Sequence, residues 1–118
     1  MAVAPAPNEE QVRAALARVL ASGEFQGSDR LCRFLRFTVD SRLRGQQEQI
    51  KEYLIGREVF DRNGDYDPRI DPIVRVEARR QRKKLDEYYA GAGAADPVRI
   101  DFPKGSYVPV FVEPAATP

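Results

Sequence analysis

The sequence predicts one mainly helical α+β domain that closes with a C-terminal β-hairpin. Apolar residues recur at helical spacing in four successive segments before residue 90. Glycines and other turn-forming residues separate these segments. From residue 97 the pattern changes to alternating apolar and polar residues, as in a strand with one exposed face. A chain of 118 residues is long enough to bury a modest core without metal or disulfide support.

The first helix is predicted from about Glu9 to Ser22, where a glycine follows. Asn8 suits the N-cap position, because its side chain can accept a hydrogen bond from the first turn. Gln11, three residues later, can complete a capping box with it. Residues 1–7 contain prolines among small residues and predict a flexible lead-in to the domain.

Two further helical segments are predicted to supply the centre of the core. A second helix is predicted over 28–43, with Ser28 as its N-cap and a bulky aromatic and aliphatic stripe. A third segment runs over about 47–54 or 47–60. Gly56 weighs against one continuous helix here, because glycine destabilises helix interiors.

The fourth helix, predicted over about 72–90, concentrates positive charge. Asp71 can accept a hydrogen bond from a first-turn N–H, Pro72 suits the first helical position, and Gly91 lies just past the predicted end. Six cations and one acid lie between residues 73 and 84, a local balance of +5, whereas the whole chain carries +1. Such a helix is a candidate for contact with nucleic acid, because each phosphate contact releases condensed counterions.

The hairpin is predicted over about 97–112, and residues 113–118 predict an exit linker. Val98, Ile100 and Phe102 alternate with polar residues, and a Lys-Gly dipeptide follows that suits a turn. A winged helix-turn-helix has this order of elements: helices come first, the last helix is the basic one, and a hairpin follows. In that fold the final helix enters the major groove and the hairpin is the wing.

Candidate contacts to DNA lie on the fourth helix and on the hairpin. An apolar stripe, at 100° per residue, is formed by Val74, Ala78, Gln81 and Leu85. Cations spread over the other side, where arginines can bind guanine and the remaining cations can hold phosphates. Arg82 lies close to the core edge, so pairing with an acid is an alternative for it. Lys104 with Arg99 is expected on phosphate or in the minor groove, although turn chemistry alone also accounts for Lys104. The predicted DNA-binding residues are Arg75, Arg79, Arg80, Arg82, Lys83, Arg99 and Lys104.

Several segments resemble the winged-helix output domain of OmpR/PhoB-type response regulators. PIVRVEARRQRKKL is similar, without a gap, to that family's recognition helix, which reads approximately R-T-V-D-V-H-I-S-R-L-R-R-K-L. DPVRIDFPKGSYVPVF resembles the wing, and EVFDRNGDYD resembles the segment before the recognition helix. The resemblance covers about residues 28–112 and implies sequence-specific binding of double-stranded DNA in bacterial transcription regulation. We expect a homodimer or tandem binding, since a single module buries little surface.

The sequence departs from that family in three respects. Gln81 stands where the family buries leucine, the loop over 61–72 is longer, and a helix over 9–22 replaces an N-terminal sheet. Because the corresponding loop of the family can touch RNA polymerase, the resemblance implies a contact of loop 61–72 with RNA polymerase or another protein. Similar segments open longer bacterial proteins that continue into sensory or repeat domains, which suggests an excised N-terminal module.

The composition argues against catalysis, cofactors and metal. The chain has no histidine, which removes the usual general base and the usual zinc ligand. In the loop, Asp61, Asn63 and Asp65 match the first ligand positions of an EF-hand, but Tyr66 and Pro72 stand where glycine and glutamate belong. The sequence therefore predicts neither an enzyme nor a calcium site.

The remaining expectations concern the compartment and an alternative function. A single cysteine, Cys32, cannot form an internal disulfide, and neither a secretory signal nor an apolar run of about 20 residues is present. We therefore expect a cytoplasmic protein without membrane contact. The alternative function is a protein-interaction or assembly module with the same fold and no DNA affinity, which would bind a partner through the hairpin or helix 9–22.

Overall fold

A computed structural model describes residues 7–113 as a helical domain with a small C-terminal sheet. Its elements are α1 (Glu9–Ala21), α2 (Asp29–Leu43), a 3₁₀ turn (Gln47–Gln49), α3 (Glu52–Glu58), α4 (Ile73–Ala90), β1 (Arg99–Asp101) and β2 (Val110–Val112). The predicted class, mainly helical with a C-terminal hairpin, is confirmed. Apart from Pro7 and Glu113, the predicted lead-in and exit linker lie outside the described residues. Within those residues no helix has the length and apolar character needed to cross a bilayer.

The capping box predicted for α1 is confirmed. The Asn8 side chain accepts a hydrogen bond of 2.8 Å from the Gln11 N–H, and the Gln11 side chain accepts one of 2.8 Å from the Asn8 N–H. These bonds satisfy two donors that would otherwise lack partners at the helix N-terminus. The buried side of α1 consists of Val12, Ala15, Leu16 and Val19.

Helix α2 supplies the centre of the core through Phe34. Its ring packs edge-on against Phe60 at 5.3 Å and against Phe102 at 5.5 Å, so one side chain connects α2 to the segment after α3 and to the hairpin. Ser28 is the N-cap residue of α2, as predicted, but its side chain makes no capping hydrogen bond. Only its backbone carbonyl takes part, accepting from the Cys32 N–H at 3.0 Å.

The third helical segment is broken, but the break lies before Glu52 and not at Gly56, which is inside α3. A 3₁₀ turn ends at Gln49, and α3 begins at Glu52. A Cβ atom at Gly56 would lie only 2.2 Å from the Tyr66 ring, which itself stacks on Tyr53 at a centroid distance of 5.9 Å. The glycine therefore makes room for an aromatic ring of the following loop.

Helix α4 starts one residue later than predicted. Pro72 is the N-cap residue, because its ψ of 22° is not helical, and Ile73 is the first helical residue. Asp71 does accept from a first-turn donor, the Ile73 N–H, at 3.2 Å, as predicted. Gly91 is the C-cap residue, which agrees with the predicted end. The predicted stripe is confirmed, since Val74, Ala78, Gln81 and Leu85 are all buried.

The two strands pair antiparallel, with Ile100 opposite Phe111. Ile100 is buried, and its N–H donates to the Tyr89 hydroxyl at 2.7 Å, which fixes β1 against the C-terminal part of α4. A loop of several residues joins the strands, so the connection is longer than the tight turn that a Lys-Gly pair suggests. Gly105 in this loop has a φ of 79°, a conformation that favours glycine.

An ion pair attaches α1 to the segment between α4 and β1. Arg18 donates two hydrogen bonds, of 2.9 and 2.8 Å, to the Asp96 carboxylate. Asp96 also accepts from the Val98 N–H at 3.0 Å and from the Tyr88 hydroxyl at 3.3 Å. Burial acts to raise the pKa of Asp96, but the hydrogen bonds, led by the one from Arg18, bring it below its usual value. The buried carboxylate is therefore stabilised in its ionised form.

We predict that Gly56→Ala destabilises the domain, although alanine normally stabilises a helix interior by about 1 kcal/mol relative to glycine. The new methyl group would collide with the Tyr66 ring, and such overpacking costs about 1–3 kcal/mol. Urea denaturation should show a lower midpoint. The matched control is Gly64→Ala, where a Cβ atom meets nothing within 4 Å. A higher midpoint for Gly56→Ala would contradict this account of the glycine.

We also predict that Gln81→Leu stabilises the domain. Gln81 is fully buried, and neither its amide nitrogen nor its amide oxygen has a hydrogen-bond partner among the described residues. Leucine has a similar size and no polar atoms, so the free energy of unfolding should rise by about 1–3 kcal/mol. Thermal denaturation measures the change, and Gln49→Leu on an exposed position serves as the control. A lower melting temperature for Gln81→Leu would refute the expectation.

Candidate nucleic-acid interface

The side of α4 opposite the core carries exposed cations. Arg75, Arg79, Arg80 and Lys83 are all exposed, and Val76 lies among them with 41% of its surface accessible. This arrangement follows from the helical period, because burial of one stripe leaves the positions between its members in solvent. Helix α1 packs on α2 and β1, and it leaves this side of α4 uncovered.

Two of the four cations have carboxylate partners. Arg75 donates to the Glu52 carboxylate of α3 at 2.7 Å. Arg80 pairs at 3.0 Å with Glu77, whose side chain is only 4% exposed. Both arginines nevertheless keep about half of their side-chain surface in solvent, 46% for Arg75 and 53% for Arg80. They can therefore still approach a ligand while the acids reduce their net charge.

Arg79 and Lys83 make neither an ion pair nor a side-chain hydrogen bond within residues 7–113. They are one helical turn apart, so they lie on the same side of α4. Their charges are therefore the least neutralised part of this face. A polyanion that docks on α4 gains most from these two side chains.

Arg82 holds the loop between the two strands. Its Nε donates to the Phe102 carbonyl at 3.0 Å, and its Nη2 donates to the Pro103 and Ser106 carbonyls at 3.1 and 3.2 Å. Its guanidinium also lies 5.4 Å from the centroid of the Phe102 ring. The sequence placed Arg82 at the edge of the core and suggested an acid as its alternative partner. The partners are instead carbonyl groups of the hairpin loop.

The two hairpin cations occupy different surroundings. Arg99 lies over the Tyr89 ring at 4.5 Å and near Asp101 at 3.8 Å, which places it beside the C-terminal end of α4. Lys104 is exposed in the hairpin loop. Arg99 thus belongs to the strand beside α4, whereas Lys104 belongs to the loop between the strands.

The structure brings five of the seven predicted residues into two neighbouring grooves between α4 and the hairpin, whereas Arg80 and Lys83 line neither groove. The first groove is lined by Arg75, Ala78, Arg79, Arg82, Gly105, Ser106 and Tyr107. The second is lined by Arg82, Leu85, Asp86, Tyr89, Arg99, Ile100, Asp101, Phe102 and Lys104. Three arginines and no carboxylate line the first groove, whereas the second contains two aspartates. An anion is therefore attracted more strongly to the first groove.

A junction of α3, α4 and the hairpin beside the first groove was not recognised from the sequence. Burial raises the pKa of Tyr107, the Glu52 carboxylate raises it further, and the Arg75 and Arg82 charges oppose that rise. Tyr66 feels the same Glu52 carboxylate, and burial together with nearby acids raises its pKa to about 12. Glu52 and Arg75 are 23 positions apart, so no local pattern could have revealed their contact.

Three of the four acids of loop 61–72 pair with arginines, and the exception within residues 7–113 is Asp65. Asp61 accepts from Arg33 at 3.0 Å, and Asp71 accepts from Arg62 at 2.7 Å. Among residues 7–113 no group of three or more histidine, cysteine, aspartate or glutamate side chains is placed to hold a metal ion. The same loop exposes Ile70, with 81% of its surface accessible. The loop therefore combines neutralised acids with one solvent-exposed apolar side chain.

Comparison with known proteins gives no match for this chain, whether among protein-family models, curated proteins or solved structures.

We predict that replacing Arg82 loosens the hairpin loop. Arg82→Ala removes three hydrogen bonds from a charged donor, and the free energy of unfolding should fall by about 1–3 kcal/mol. Hydrogen exchange should become faster at the amides of residues 103–108. The control is Lys83→Ala on the adjacent, exposed position, which should leave both quantities nearly unchanged. Unaltered exchange in Arg82→Ala would show that the loop does not depend on this arginine.

Proposed function

We propose that this chain binds double-stranded DNA as a winged helix-turn-helix and serves transcription regulation. In this proposal α4 is the recognition helix in the major groove, and the hairpin is the wing on the backbone or in the minor groove. The observation that carries the proposal is the exposed cationic side of α4, next to a hairpin loop that Arg82 holds in place. An α-helix fits the major groove of B-DNA, and helix followed by hairpin is the order that such domains use.

The distribution of charge supports DNA as the partner. The chain as a whole carries only +1, yet the exposed side of α4 holds four cations whose direct partners among residues 7–113 are limited to Glu52 and Glu77. A basic face that only met solvent could equally well have a carboxylate paired with each of its cations. The absence of such partners for Arg79 and Lys83 among the described residues leaves charge available for phosphates.

The surroundings suggest a different task for each cation. Arg79 is exposed on α4 and has no side-chain partner among the described residues, so it is the proposed reader of a base edge, where arginine can bind guanine O6 and N7. Lys83 and Lys104 are proposed to contact phosphates, because a flexible ammonium acts as a point charge. Arg82 is proposed to position the wing rather than to read sequence, since two of its nitrogens already bind carbonyls.

The remaining cations lie at the borders of the proposed interface. Arg80 is proposed to hold a phosphate on the flank of α4, with Glu77 orienting it. Arg99 is proposed to contact the backbone near the C-terminal end of α4, where Tyr89 supports its guanidinium. One such module buries little surface on DNA, so we expect two copies on paired half-sites or tandem sites.

A second candidate function is a protein-interaction module without DNA affinity. The observation in its favour is the exposure of apolar side chains away from α4, namely Ile70 at 81% in loop 61–72 and Val110 at 43% on β2. RNA polymerase or another protein could be the partner of such a loop. Salt distinguishes the two functions, because binding to DNA weakens steeply as ionic strength rises and binding through apolar surface does not.

We predict that Arg79→Ala weakens binding to a selected duplex by about 1–3 kcal/mol if Arg79 reads a base. The duplex would be obtained by selection from a random pool with the unaltered protein, and affinity would be measured by fluorescence anisotropy at several salt concentrations. Arg30→Ala, which removes an exposed cation of α2, is the matched control. Undiminished affinity of Arg79→Ala would refute its role as base reader. The lack of binding to any duplex at low salt would favour the protein-interaction module.

A further inference from the structure

An ion pair between the first turns of α3 and α4 stands at the edge of the proposed interface. Glu52 Oε2 accepts from Arg75 Nη1 at 2.7 Å. The Glu52 side chain is 23% exposed and the Arg75 side chain 46%, so the carboxylate is the more enclosed partner. The contact therefore fixes one nitrogen of a guanidinium whose side chain keeps 46% of its surface in solvent.

Two of the three guanidinium nitrogens of Arg75 can still donate hydrogen bonds to a ligand. Its Nε and Nη2 make no hydrogen bond within residues 7–113, and only Nη1 is bound to Glu52. Two adjacent donors in one plane suit the O6 and N7 acceptors of guanine. A side chain that is already held loses less conformational freedom on binding, which favours a directed contact.

The charge of Glu52 matters as much as its position. A phosphate near Arg75 would feel the adjacent carboxylate, so the pair attracts an anion less than a lone arginine does. A base edge carries no net charge, and its hydrogen bonds with Nε and Nη2 remain available. Glu52 is thus expected to weaken contacts with the DNA backbone more than contacts with a base.

The surroundings of Arg75 reinforce this difference. Arg79 and Arg82 line the same groove and both lack a carboxylate partner among residues 7–113. Of the three arginines of this groove, Arg75 is thus the one whose direction a carboxylate, that of Glu52, sets. The surroundings of Glu52 also restrict its side chain. The carboxylate lies near Tyr66, which is buried, and near Tyr107, which is half-buried.

The geometry points to Glu52 as a positioning residue that makes Arg75 selective for one base pair: it holds the guanidinium and lowers its attraction for phosphate. This inference rests on the proposed DNA binding and adds a determinant of specificity that does not itself touch DNA. The effect belongs to the two residues as a unit, since neither the carboxylate nor a freely rotating arginine supplies it alone.

The test compares base preferences of four proteins, each measured by selection from the same random duplex pool. These are the unaltered chain, Arg75→Ala, Glu52→Ala and the double variant. Arg75→Ala should flatten the preference at one base pair of the site. Glu52→Ala should flatten the same base pair, with discrimination there reduced about tenfold. The double variant should discriminate no worse than Arg75→Ala alone, as expected for two residues that act together.

Salt dependence separates positioning from a merely structural role. Glu52→Ala should bind an unrelated duplex of equal length at least as tightly as the unaltered chain, because Arg75 becomes free to hold a phosphate. The slope of log affinity against log salt should then steepen by about 0.9 for one additional phosphate contact. Glu52→Gln, which can still accept from Arg75 without a charge, should recover part of the base preference and keep the steeper slope. Glu52→Gln also replaces Glu52→Ala as the test variant if the alanine variant folds poorly, which circular dichroism would reveal.

The matched control is Glu48→Ala, which removes an exposed carboxylate from the neighbouring 3₁₀ turn. It should leave base preference unchanged. Unchanged preference in both Glu52 variants, or flattening at a base pair that Arg75→Ala does not affect, would overturn the inference and leave DNA binding intact. Failure of the unaltered chain to bind any duplex at low salt would overturn the proposed function together with the inference.

Discussion

Burial of one side of α4 against α2, α3 and β1 is the constraint on which the rest of the structure depends. The core takes Val74, Ala78 and Leu85 from this helix, and the 3.6-residue period then leaves the arginine-rich positions in solvent. A rotation of α4 that exposed the apolar stripe would also bury cations, which is costly without partners. The hydrophobic effect therefore determines the direction in which the charges point, although the charges themselves add little to stability.

Ion pairs organise the remainder of the surface around that helix. Arg18 with Asp96 and Arg33 with Asp61 join segments that are distant in sequence, and Arg62 with Asp71 joins the two ends of loop 61–72. The exposed pair of Arg33 and Asp61 and the half-exposed pair of Arg62 and Asp71 contribute modestly to stability, but they fix the directions of long side chains. These ion pairs also engage carboxylates that lie away from α4. The nearly neutral total charge is therefore compatible with a strongly cationic face.

Several features that look unfavourable for stability lie close to the proposed interface. The side-chain amide of Gln81 in α4 is buried and has no hydrogen-bond partner among the described residues. The buried Tyr66 hydroxyl also lacks such a partner. Tyr66 also requires the absence of a side chain at Gly56. These residues connect the loop, α3 and α4, the elements that carry Glu52 and Arg75. Buried polar groups without partners among the described residues thus occur next to the elements that carry the proposed function.

The sequence by itself determined the helices, the buried stripe of α4, the capping box of α1 and the C-terminal hairpin. Periodicity and caps are local properties, and a few neighbouring residues suffice to express them. Local patterns also indicated which side of α4 faces solvent. They could not give the partner of each cation: Glu52 for Arg75, the hairpin carbonyls for Arg82, and Tyr89 for Arg99. Only the tertiary structure decided these contacts and the need for Gly56, because each joins segments that come together when the core forms.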